Sequence, residues 1–250
     1  MRAVAPPSPD LGELLAWLVG LDAAGDELTM DIGDARPGPA LGVGIASLVA
    51  SRRARGQSTK LSGARAAELD ALSPIVDLRA ARSQADAQAE RLEQQAPDAA
   101  QSVVRAVRFV FEELGANVVQ QSGAADTGFG SVAPTADGFE LALADRGMGF
   151  RASLQRHPEL SGRIQDDAEA IQVWVAREFG VLCELSDRLG GDLWIASGDA
   201  LWHRRTAQHG LRVATVRGAP AYRGAFVCLR APLAPSASAG LPSSSRAART

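Results

Sequence analysis

The chain has 250 residues, 46% hydrophobic and 22% charged, with a formal net charge of -3. That composition suits a globular protein of one large or two small domains. The charge balance supplies no basic field for nucleic acid or an anionic membrane, and Gly20, Asp22 and Asp26 break the best early apolar run before it could span a bilayer.

Met1 to Asp10 holds one arginine and three prolines with no apolar core, which argues against a signal peptide. Leu11 to Leu21 is a short apolar segment, and Glu27 to Ile32 alternates polar and apolar residues as a strand does. Gly33 to Pro39 reads as a loop. Leu41 to Arg55 fits a helix that ends in arginines ahead of a capping Gly56. Ser58 to Leu61 then predicts a short strand and Arg65 to Leu72 a further helix, which together make a small α/β unit over residues 1–80. Ala80 to Gln95 predicts a solvated helix, and residues 81–98 a helical linker.

Ala99 to Gln121 predicts one long helix with the apolar stripe Val103, Val107, Val110, Leu114 and Val118. Beside that stripe, Glu113, Asn117 and Gln121 recur at i, i+4 and i+8, a polar row that needs a cavity or partners. Asp126 to Pro134 reads as a glycine-rich loop and Phe139 to Ala144 as a strand. That strand runs into Asp145-Arg-Gly-Met-Gly149, where a carboxylate at a strand end precedes two glycines that permit close approach of a ligand. Asp166 to Leu189 predicts a helix. Asp192 to Ala196 and Gly224 to Leu229 predict strands joined by a long polar connection, and residues 234–250 a disordered tail. Cys183 and Cys228 lack metal spacing and read as buried thiols of a reducing compartment, so a cytoplasmic location is expected. His157, His203 and His209 share no metal spacing either, and Trp174, Trp194 and Trp202 read as packing residues.

Phe111-Glu-Glu-Leu-Gly-Ala-Asn117-Val-Val-Gln-Gln121 resembles the asparagine-bearing helix of the GHKL ATPases, the fold of histidine kinases, Hsp90, gyrase and anti-sigma serine kinases. Asp145-Arg-Gly-Met-Gly149 resembles their first glycine box, and Asp187 to Gly198 with Arg223 to Pro232 resembles their closing strands. The resemblance implies a Bergerat-type α/β sandwich over residues 99–233, with helices on one face of a mixed sheet. It also implies that ATP and Mg²⁺ are the cofactors. Asn117 would ligand the metal, Asp145 would accept the adenine amine, and Gly147, Met148 and Gly149 would form the adenine floor. Glu113 would be the general base, and Gln121 stands where relatives carry a basic residue.

The departure is the second glycine box. It should fall near Ala176-Arg-Glu-Phe179, which holds no glycine pair, and Glu178 there would repel phosphate. The resemblance therefore implies a pocket that holds adenine and grips the γ-phosphate poorly. Residues 1–80 more faintly resemble STAS domains through Met30-Asp-Ile32, Ala40 to Leu48 and Lys60 to Gly63. Ala40 and Leu41 stand where that family places its phosphorylated serine, so no phosphoswitch is expected. The function these likenesses imply is ATP-dependent signalling through a sigma/anti-sigma-type protein partner, with a homodimer left open. The alternative is a non-catalytic interaction module on the same fold.

Overall fold

The computed structural model describes residues 1–6, 10–33, 38–70, 72–207 and 210–233. Part of the expected 33–39 loop and the whole expected tail lie outside those residues. The protein is mixed α/β, with a three-stranded parallel sheet and a four-stranded antiparallel one.

The first sheet joins β1 (Arg2–Val4), β2 (Glu27–Asp31) and β3 (Ser58–Ser62) in sequence order, with helix α1 (Leu11–Asp22) and helix α2 (Pro39–Ala54) as the crossovers. Asp10 and Glu13 close the start of α1 as a reciprocal capping box. Arg52, in the last turn of α2, is fully buried and donates to the carbonyls of Ala24 and Gly25 and to the Thr59 hydroxyl. One side chain thereby satisfies the turn before β2 and ties it to β3.

After the short α3 (Ala66–Asp70) come α4 (Leu78–Gln95) and α5 (Gln101–Gln121). The segment expected as a solvated linker is a helix, but it is not solvated throughout. Ala81, Ala85, Ala89 and Leu92 form a buried stripe, and small side chains at i, i+4 and i+8 let α4 lie close against α5. The expected loop at 126–134 is largely strand. Asp126 sits in a 3₁₀ turn, and β4 (Phe129–Thr135) follows and pairs with β5 (Gly138–Asp145).

The expected helix 166–189 is two helices, α7 (Asp167–Arg177) and α8 (Gly180–Leu189), preceded by the short α6 (Gly149–Leu154). The expected polar connection between the last two strands continues the strands themselves. β6 (Asp192–Ala207) and β7 (Gly210–Ala231) form one long hairpin. The order β4-β5-β7-β6 is antiparallel at every pairing, so the expectation of a mixed sheet is corrected.

Strand periodicity decides what each face of this sheet covers. Phe139, Leu141, Leu143, Leu193, Ile195, Val227 and Leu229 point toward α5, α7 and α8. Ala142, Ala144, Ala196, Phe226 and Cys228 point the other way, into a second core with Leu14, Leu18, Val43 and Ile45 of α1 and α2. The helices of residues 99–233 therefore lie on one face of this sheet, and α1 and α2 of the N-terminal unit cover the other. The alternation in β5 is large against small rather than apolar against polar, because neither face meets water.

Candidate functional site

Asp145 ends β5 in phase with Leu141 and Leu143, so its side chain points to the α5 face. There Asn117, Val118, Gln121, Leu143, Asp145, Ala225 and Val227 line one cavity between α5 and the sheet. Two segments separated in sequence thus meet at one place. Asp145 is 4% exposed, and its carboxylate accepts from the Gly147 N–H at 2.7 Å. Burial raises its pKa to about 6, against the lowering effects of the Gly147 and Ala225 N–H groups and the Arg146 charge.

The two glycines of the box serve the corner. A side chain on Gly147 would meet the Ser122 carbonyl at 2.2 Å, and the next residue, Met148, donates its N–H to that same carbonyl at 2.8 Å. Gly149 takes a left-handed φ of 75°, which starts α6 under the sheet. Ser197 then accepts the Phe150 N–H at 3.0 Å and donates to the Gly224 carbonyl at 2.8 Å, fixing α6 to β6 and β7.

Not every expected residue reaches the cavity. Glu113 is exposed and does not line it, so the structure does not place a general base there. Gly147 and Met148 shape the corner without forming the wall, whereas Gly149 does line it. Gln121 accepts from the Ser153 hydroxyl of α6 at 3.0 Å, which joins α5 to the covering segment. Asn117 makes no hydrogen bond among the described residues and stays available to a ligand.

The sequence reading missed Phe150, Trp174 and Phe179. Their ring centroids lie 5.2 to 6.0 Å apart, and all three line the cavity. They reduce the free space to about 30 Å³, room for ordered water but not for a purine. Among the described residues, the buried indole Nε1–H of Trp174 has no partner. An unpaired donor beside a largely apolar cavity costs stability unless a ligand or water accepts from it. The signal in the sequence was Trp174 and Phe179 flanking the place where the second glycine box is absent.

The residues fit a base better than a metal-bound triphosphate. Apolar walls and a buried carboxylate acceptor suit the donor edge of a flat ring. After Phe179, α8 begins at Gly180 with no side-chain cap, leaving first-turn N–H groups open. No Lys, Arg or His is among the described residues lining the cavity, and Glu178 sits at the α7–α8 junction. The start of α7 is closed by its own Asp166, which accepts from the Glu169 N–H and pairs with Arg217. Among the described residues no cluster of three metal-ligating side chains occurs, and Asn117 is the sole expected ligand at the cavity.

Comparison with models of known families, with curated proteins and with solved structures finds no match. The GHKL resemblance therefore rests on the two motifs and their order. Among the described residues, no helix is long and apolar enough to cross a membrane.

Proposed function

We propose that this chain is a regulatory nucleotide-binding protein of the GHKL type, which binds an adenine nucleotide and signals to a protein partner without transferring phosphate. One observation carries this reading: Asp145, Asn117 and Gln121, from two distant segments, converge on one cavity with apolar walls. Asp145 accepts the exocyclic amine of the base, and Asn117 offers its amide beside it. Opening requires the aromatic cluster to move, since it fills the space a base would take. The absence of a lining cation, and Glu178 at the α7–α8 junction, support binding without transfer.

Calorimetric titration with ADP and ATP, with and without Mg²⁺, tests this reading. Nucleotide should bind the wild type, and Asp145→Ala should weaken it at least tenfold, about 1.4 kcal/mol. No affinity for either nucleotide up to millimolar concentration would defeat the proposal. It would leave the second reading, favoured by the Phe150–Trp174–Phe179 plug, of an interaction module that needs no nucleotide. Labelled phosphate appearing on a protein partner would defeat the claim of no transfer.

A further inference from the structure

A second, larger cavity of about 400 Å³ opens between the N-terminal unit and the α4–β4 layer, on the far side of the sheet edge from Asp145. Its walls are the start of α2, the segment after α3, one stripe of α4 and the edge strand β4. Its volume lies within the range of small-molecule sites, and junctions between units are where such sites gather.

The α4 stripe facing it is Gln84, Ala87, Gln88 and Arg91, at spacings of three, one and three. Two of these side chains are already committed in a defined way. Gln84 donates to the Ser73 and Pro74 carbonyls, both at 3.2 Å. Gln88 uses its carbonyl oxygen to accept the Val132 N–H of the open β4 edge at 2.9 Å. The Gln88 amide nitrogen, with two N–H donors, is thereby left over.

Arg91 has no ion pair among the described residues, whereas Arg82 and Arg108 of the same helix pair are matched to Glu112 and Asp86. Ser131 lines the cavity from β4. It is 8% exposed, and its hydroxyl has no partner among the described residues. Strand alternation sends that hydroxyl to the α2 side, with Phe129 and away from Val132. Glu68, the carboxylate at the rim, is paired with Arg65. The free groups are donors: a guanidinium, an amide NH₂ and a hydroxyl. Ser131 is buried and Gln88 and Arg91 are half-buried, so leaving them without acceptors costs free energy that an acceptor-rich ligand recovers.

We infer that this cavity is a second ligand site that takes a small anion-bearing molecule, a carboxylate or phosphate compound, with its charge on Arg91 and its acceptors toward Gln88 and Ser131. The site is independent of the Asp145 cavity. It joins α2 of the N-terminal unit to α4 and β4, so occupancy stabilises the packing of one against the other.

The test uses the full chain in thermal unfolding and calorimetric titration with inorganic phosphate, pyrophosphate and citrate at constant ionic strength. One or more of these probes should raise the melting temperature of the wild type and of Asp145→Ala alike. Which probe acts distinguishes a phosphate from a carboxylate ligand. Arg91→Gln, at a half-exposed position that leaves the fold intact, should weaken binding at least tenfold. Ala87→Leu, which fills the mouth while keeping every charge, should abolish it. Equal shifts in wild type, Arg91→Gln and Ala87→Leu would reveal a general salt effect and overturn the proposal, as would no shift with any probe. Loss of the effect in Asp145→Ala would overturn the independence of the site.

Discussion

Asp145 is held in an environment that penalises its charge, and this links stability to pH. Its pKa in the fold is about 6, above its ordinary value, chiefly because it is buried. A carboxyl raised in this way stabilises the fold where it is protonated. That contribution is present below about pH 4, is lost as pH rises through about 6, and is absent above. The difference is on the order of 3 kcal/mol. Asp145→Asn keeps the shape and the acceptor for Gly147 while removing the charge. It should gain stability over wild type at pH 7 and lose the gain at pH 4, read as the difference in urea midpoints between the two proteins. A difference that does not change with pH would show that the carboxyl titrates normally. A carboxylate accepts an amine more strongly than the neutral acid, so if Asp145 holds a base, nucleotide affinity should weaken as pH falls through about 6, and calorimetry across that range checks it.

At the scale of elements, the covering segment from α6 to the start of α8 is held down by three rings and the Gln121–Ser153 bond. Trp174→Phe removes the unpaired indole donor and some volume from the cavity at once. Stability should change by less than about 1.5 kcal/mol, because the ring cluster survives and a buried orphan is removed. Nucleotide affinity should rise as the plug thins. Unchanged affinity in calorimetry, with the melting temperature preserved, would show that the rings do not gate the cavity. These same elements mark what the sequence could reveal. The α5 stripe and the strand leading into Asp145 were readable because each has a local period. The break between α7 and α8 was not, since a lone Gly180 is tolerated within a helix pattern and Phe179 packs on Phe150 and Trp174 at the turn. The extent of β6 and β7 was hidden in the same way, because their distal halves pair only with each other and mix buried Ala200 and Trp202 with exposed Leu211, Val213 and Val216, so no clean alternation marks them. Glu113 followed the right helical spacing, yet each i, i+4 step rotates by about 40°, so Glu113 is exposed while Asn117 and Gln121 line the cavity.

Across the whole molecule, the N-terminal unit and the second sheet share a core, so neither face of that sheet is dispensable. Arg146, next to Asp145, points to the opposite face, where it pairs with Asp22 of α1 at 3.1 Å and lies 4.3 Å over the Tyr222 ring. Its Nε and Nη2 have no partner among the described residues, so the Asp22 carboxylate is what compensates a fully buried charge. Asp22→Asn removes that charge and should cost about 3 kcal/mol. Close packing enforces the same junction: a side chain on Gly44 would come within 2.6 Å of Leu18, with Phe226 at 3.4 Å behind. If the core is shared, urea unfolding of the full chain should be a single transition by fluorescence and by circular dichroism. Asp22→Asn should shift the whole transition rather than split it. A fragment of residues 81–233 would expose Phe129, Ala142, Ala144, Ala196, Phe226 and Cys228 to water and should aggregate. Two resolved transitions, or a soluble fragment with native circular dichroism, would show that the units fold independently and that Arg146 reports on docking alone.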